Sequence, residues 1–146
     1  MAKEKKIVNI TGEDEKTGEK FGKDKHGKII KLEDKGWSNI DNYINSLVNV
    51  IKDKSFTGVY GIPRGGLIFA VILSHKLNIP LLMAPCDNCI IIDDIADTGQ
   101  TLKHFKENKS YYIATMFYHK QSIVVPDFWY REKTDNWIVY PWEVQE

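Results

Sequence analysis

Ile90-Ile91-Ile92-Asp93-Asp94-Ile95-Ala96-Asp97-Thr98-Gly99-Gln100-Thr101 is the stretch whose reading decides the fold. An apolar run, Cys89 to Asp93, reads as a fully buried strand that ends at paired carboxylates. A short polar loop follows, and a helix is predicted over Thr101 to Glu107. In open parallel sheets ligands bind outside the carboxyl ends of the strands. A loop entering a helix there offers backbone N–H groups and the positive end of the helix dipole, which suits a phosphate. Thr98 and Thr101 add hydroxyls, and Gly99 permits close approach or a positive φ. Asp93 and Asp94 can accept hydrogen bonds from a sugar diol. One loop thus sets acceptors for hydroxyls beside donors for a phosphate, the two halves of a ribose 5-phosphate. The competing reading is a solvated acidic turn. Paired aspartates after an apolar run, followed by Asp-Thr-Gly-x-Thr, argue against it.

Upstream the same grammar repeats. Thr57 to Ile62 reads as a short buried strand, Pro63-Arg64-Gly65-Gly66 as a turn, and Leu67 to Leu77 as a buried helix, apolar on most sides. Bare amides in that turn could bind a second anion. Before it, Ser38 can cap a helix that carries Ile40, Tyr43, Ile44, Leu47, Val48 and Ile51 on one face. Downstream, Ile79 to Met83 reads as a brief strand and Tyr111 to Tyr118 as another. Strands alternating with helices imply an α/β fold with a parallel-sheet core flanked by helices. The tail from Ile123 is rich in aromatics and lacks helical periodicity.

Residues 1–28 differ: about half are charged, and glycines recur. A charged N-terminal arm and a solvated hairpin, pairing Lys6 to Ile10 with Lys28 to Leu32, both remain open. The expected organisation is this arm over 1–28 and one domain over 29–146. The whole chain is 146 residues, 27% charged and 42% hydrophobic, with zero formal net charge. That suits a single core, and there is no net basic charge to argue for nucleic acid as the main partner. The longest apolar-rich run, near Leu67 to Leu73, is far short of a membrane span of roughly 18 residues. The start has no apolar stretch of export-signal type, so a cytoplasmic location is expected. The only cysteines, Cys86 and Cys89, read as a tight turn with incidental thiols. A structural zinc site needs four ligands, so zinc shared between subunits is the remaining alternative.

The stretch Ile90 to Thr101 resembles the phosphoribosyl pyrophosphate signature of type I phosphoribosyltransferases, and the likeness extends over roughly Ile30 to Glu143. It implies that Asp93 and Asp94 hold the ribose hydroxyls, directly or through Mg²⁺, the expected cofactor. It assigns the 5-phosphate to Asp97, Thr98, Gly99, Gln100 and Thr101, and places Asp97 near the base as a catalytic residue that handles a purine proton. Tyr60-Gly61-Ile62-Pro63-Arg64-Gly65-Gly66 resembles the family's pyrophosphate loop, which assigns that role to Arg64 and Gly65. Phe117-Tyr118-His119-Lys120 and Trp137-Ile138-Val139-Tyr140-Pro141-Trp142-Glu143 look like the small aromatic C-terminal hood of the xanthine, guanine and hypoxanthine branch. There Lys120 would read the exocyclic oxygen, Trp137 would stack on the base, and Ile138 and Glu143 would line the pocket.

The resemblance implies transfer of phosphoribose from Mg-phosphoribosyl pyrophosphate to a 6-oxopurine in purine salvage, by a homo-oligomer. Against the family pattern, only Ala84-Pro85-Cys86-Asp87-Asn88 separates Met83 from Cys89. A long flexible lid is usual there, and its loss bears on rate. The rival readings are a non-catalytic module that binds phosphoribosyl pyrophosphate or a nucleotide, and a transferase with a different acceptor.

Overall fold

The chain is described from a computed structural model. It describes residues 7–13, 20–24, 29–34, 36–134 and 137–143, with side chains over 36–134 and 138–143. The chain divides into two compact units, one of Met1–Asn39 with Thr134–Glu146, the other Ile40–Lys133.

The larger unit holds a parallel four-stranded sheet. Its order is β4 (Val59–Gly61), β5 (Ile90–Ala96), β6 (Tyr112–Tyr118) and β7 (Phe128–Glu132). Three helices accompany these strands: α1 (Trp37–Ile51), α2 (Gly65–Leu77) and α3 (Gln100–Lys106). On α1 the positions Ile40, Tyr43, Ile44, Leu47 and Ile51 are buried, the one-sided face its spacing demands. Tyr43 meets Phe69 of α2 edge-on, at 5.4 Å between ring centroids, and stacks over Phe128 of β7 at 6.1 Å. Elsewhere in this unit Ile91, Ile113, Leu102 and Val124 form an apolar cluster that Tyr60, Phe105 and Tyr118 edge. With both faces covered, β5 and β6 can be apolar nearly throughout, which is why they read as unbroken runs.

Two expectations need correction. The β5 strand does not stop at its acids but runs on to Ala96, because β6 is long enough to keep pairing: Asp93 lies opposite Thr115, Ile95 opposite Phe117 and Ala96 opposite Tyr118. The strand expected over Ile79 to Met83 is a single bridge, Val59 to Leu81. Pro80 contributes only its carbonyl, to the Val59 N–H at 2.9 Å. The aromatic tail, which lacks helical periodicity, contributes β7 and the short strand β8 (Trp137–Val139).

The smaller unit is a second sheet in the order β1 (Ile7–Glu13), β2 (Lys20–Asp24), β3 (Ile29–Asp34) and β8. The segments expected to form a hairpin each pair with the intervening β2 instead. β8 joins β3 in parallel, with Leu32 opposite Trp137. In this unit Tyr140 and Trp142 stack at 5.0 Å with ring planes 7° apart, and Trp37 tilts against Trp142 at 6.0 Å.

Candidate active site

Parallel pairing brings the ends of β4, β5, β6 and β7 to one edge of the larger sheet, and the expected chemistry gathers there. Asp93 is buried at 8% exposure. Burial, and after it the neighbouring Asp94 charge, pushes its carboxyl well above the ordinary carboxylate range, although the Asp94 backbone N–H donates to Asp93 Oδ1 at 2.9 Å. Asp94 is half-buried. A methyl group on Gly65 would lie 2.5 Å from one Asp94 carboxylate oxygen and 2.6 Å from its carboxyl carbon. One on Gly66 would run into the Ile92 carbonyl. The glycine pair therefore lets the turn after β4 lie directly against the acids of β5. The Pro63–Arg64 peptide is cis. Arg64 is exposed, caps the start of α2, and accepts the Leu67 N–H at 3.2 Å through its carbonyl.

The loop after β5 is tightly built. Gly99 has φ 84°, and a methyl there would lie 2.5 Å from Ser122 Oγ and 2.8 Å from the Val124 backbone nitrogen. The Ile123 N–H donates to the Thr98 carbonyl at 2.9 Å, and the Lys103 N–H to the Gly99 carbonyl at 3.0 Å. The Gln100 N–H reaches Thr98 Oγ1 at 3.4 Å. Gln100 and Thr101 are exposed, as a loop open to a ligand requires.

Asp97 is the centre of a polar group that the sequence did not announce. Gln121 Nε2 donates to its Oδ1 at 3.0 Å. The same oxygen lies 3.9 Å from His119 Nδ1 and 3.9 Å from Lys133 Nζ. Lys120, expected at the base, is 78% exposed and pairs with Glu132 at 3.5 Å. In the smaller unit Ile138 is buried and Glu143 exposed. Trp137 opens β8, and its side chain lies outside the described residues. Gln121 and Lys133 were missed because only tertiary pairing places them. The one available signal was the position of Gln121 just past the apolar strand β6.

No family model matches the chain. It is 30% identical to a purine phosphoribosyltransferase of Pyrococcus horikoshii, over 79% of this chain and 96% of that one, with a TM-score of 0.70. It is 21% identical over 132 residues to the xanthine-guanine phosphoribosyltransferase of Chromohalobacter salexigens, spanning 74% of this chain and 82% of the relative. The fold is also that of a xanthine-guanine-hypoxanthine phosphoribosyltransferase of Helicobacter pylori, at 16% identity and a TM-score of 0.67. The parallel sheet, the acid pair and these likenesses define one class of protein, and the chain belongs to the type I phosphoribosyltransferase family of enzymes. Within it, the pattern is that of the xanthine-guanine branch.

Proposed function

We propose that the protein transfers phosphoribose from Mg-phosphoribosyl pyrophosphate to N9 of a 6-oxopurine, releasing pyrophosphate. The observation that carries this reading is the contact of the Gly65 turn with the Asp94 carboxylate. A ligand with pyrophosphate on C1 and phosphate on C5 of one ribose needs two anion loops flanking diol acceptors. The Gly65 turn lying against Asp94, with the 97–101 loop following β5, supports that reading.

On this reading Asp93 and Asp94 hold the ribose hydroxyls. Asp97, Thr98, Gly99, Gln100 and Thr101 hold the 5-phosphate, and Arg64 and Gly65 the pyrophosphate. The Asp97 carboxylate accepts the proton released as the base becomes a nucleotide. The sugar passes through an oxocarbenium-like state, so the chain contributes alignment and no covalent nucleophile. Trp137, Ile138 and Glu143 are the proposed base-lining residues. Lys120 is the proposed donor to the exocyclic oxygen.

A magnesium ion fits the acid pair. Two adjacent carboxylates are oxygen donors of the kind Mg²⁺ accepts alongside water and substrate phosphates. Among the described residues no group of three or more His, Cys, Asp or Glu side chains could hold a metal by itself. When bound with the sugar, the ion supplies charge neutralisation on the departing pyrophosphate.

The test is nucleotide formation from guanine, xanthine, hypoxanthine and adenine with phosphoribosyl pyrophosphate. Turnover of a 6-oxopurine that stops in chelator is expected. One observation favours the binding-module reading, the short connection over 84–88. Calorimetric binding of phosphoribosyl pyrophosphate with no turnover of any base would decide for it.

A further inference from the structure

Cys86 and Cys89 stand apart from the transfer chemistry, and no step above uses them. Cys86-Asp87-Asn88-Cys89 is a turn closed by the Cys89 N–H, which donates to the Cys86 carbonyl at 3.3 Å, with Asn88 left-handed at φ 60°. A four-residue turn brings its first and last Cα within about 7 Å. Disulfides span about 4.4–6.8 Å between Cα atoms, so the backbone already has a spacing at which two sulfurs can be joined. The turn is also pinned from outside. The Asn88 N–H reaches Ser110 Oγ at 3.2 Å, and the Thr57 hydroxyl donates its one proton to the Asp87 carbonyl at 2.8 Å. At 3.3 Å from Cys86 Sγ that hydroxyl can then only accept, from the thiol.

The two thiols differ in access. Cys86 is exposed, while Cys89 is fully buried in the cluster of Ile91, Leu102 and Ile113. Burial raises the Cys89 thiol above its ordinary pKa, and Cys86 and Asp87 of the same turn push it in the same direction. A dissolved oxidant therefore meets Cys86, and Cys89 is left to its turn partner. We propose that Cys86 and Cys89 form a reversible disulfide site that takes low-molecular-weight disulfides as its oxidant. The Cys86 thiolate attacks one sulfur of R–S–S–R; a mixed disulfide forms, and the departing R–S⁻ takes up the proton that Cys86 lost. The Cys89 thiolate then attacks Cys86 Sγ, the internal bond forms, and the second R–S⁻ leaves with the Cys89 proton. Two protein thiols are oxidised, and one small disulfide is reduced to two thiols. The bond ties the 84–88 connection to the residue ahead of Ile90, at the end of β5 away from Asp93 and Asp94. The proposal is independent of the transferase reading.

The experiment equilibrates the full chain in graded mixtures of oxidised and reduced glutathione at about pH 8, where thiolate is available. Acid quenching, alkylation of the remaining thiols, intact mass and a peptide map then read the products. The unsubstituted protein should lose the mass of two hydrogens, carry no glutathione, and yield one peptide pair linked through Cys86 and Cys89; excess reduced glutathione should reverse the change. Cys89→Ala should stop with glutathione on Cys86, and Cys86→Ala should stay unmodified while folded. Because the turn holds the pair ready, the equilibrium constant for oxidation should be at least about tenfold larger in the folded protein than in the same protein unfolded in urea. Two incidental thiols would show no such excess. If Cys89→Ala fails to fold, Cys86→Ala and the folded-to-unfolded ratio decide. The proposal is overturned if glutathione accumulates on Cys86 of the unsubstituted protein with no internal bond, if disulfide-linked dimers form in its place, or if the folded protein is oxidised no more readily than the unfolded one.

Discussion

Gly99→Ala tests the phosphate loop at its tightest point. The backbone at Gly99 is left-handed, φ 84°, and an L-residue in that region costs about 1–2 kcal/mol. The added methyl would also stand 2.5 Å from Ser122 Oγ, 2.8 Å from the Val124 nitrogen and 3.0 Å from the Ile123 nitrogen. Two of these are backbone atoms, so the contact cannot be relieved by turning a side chain. Overpacking of this kind costs about 1–3 kcal/mol. Together the two effects come to about 2–5 kcal/mol, or a fall in Tm of roughly 6–15 °C for a domain of this size. The 97–101 loop must shift to admit the methyl, which strains the Ile123 N–H bond to the Thr98 carbonyl. Affinity for inorganic phosphate and for phosphoribosyl pyrophosphate should fall with it.

The assay is a melt by circular dichroism with calorimetry at a temperature where both proteins are folded. Two companions separate the causes. Asn tolerates the left-handed region, so Gly99→Asn should recover part of the loss only if the dihedral matters more than the contact. Gly36→Ala, where a methyl would meet nothing within 4 Å, should be neutral or slightly stabilising. A Gly99→Ala protein that melts within about 2 °C of the parent and binds phosphate equally well would refute the reasoning.

Asp93→Asn tests the buried acid. Its carboxyl titrates above the unfolded value, so the native chain keeps a proton that the unfolded chain gives up as pH rises from about 4. The parent therefore loses stability on going from pH 4 towards 8 in Mg²⁺-free buffer. The Asn variant should melt higher at pH 8, with the difference closing towards pH 4, while binding the sugar pyrophosphate more weakly; a difference that widens on acidification would contradict this. Tyr43 is fully buried, and its hydroxyl has no hydrogen-bond partner among the described residues. Tyr43→Phe removes a desolvated group and should raise stability by about 1 kcal/mol, so a lower Tm in scanning calorimetry would show that the hydroxyl is bonded in solution.

What could be read from the sequence was what local chemistry dictates. The one-sided face of α1 follows from its spacing, and the Gly65-Gly66 turn from residues that alone permit close approach. β5 follows from an apolar run buried on both faces. The boundaries were harder, because a strand ends where its partner stops pairing. Asp93 and Asp94 look like an ending, yet the ladder with β6 carries the backbone past them. Phe128–Glu132 was passed over because it lacks a continuous apolar run. Trp129 and Arg131 are exposed while Phe128 and Tyr130 are half-buried, the mixed pattern of an edge strand. Missing β7 also meant missing Lys133, since only the pairing of Tyr118 with Glu132 sets the next residue at the end of β6 beside Asp97.

The same pairing explains what became of the connection where a lid is usual. Leu81 bridges to Val59, and Val59 pairs with Ile90, so all three stand at one level of the sheet. Ile90 opens β5, whose acids emerge towards its other end. The segment turns back at that level, and its return is fastened in place. The Thr57 N–H donates to the Asn88 carbonyl at 3.0 Å, the Thr57 hydroxyl to the Asp87 carbonyl at 2.8 Å, and the Asn88 side chain to the Ser55 carbonyl at 3.0 Å. Asn88 itself takes the left-handed backbone that closes the turn. A connection held at the opening level of the strands has no spare length with which to cover the acids. Water exclusion, which a closing loop normally provides, then falls to other parts of the chain. Under the proposed reading, discrimination among bases rests on fixed donors and acceptors at the sheet edge. Asp97 and Gln121 are held there just past the ends of β5 and β6 and need no closure to come together.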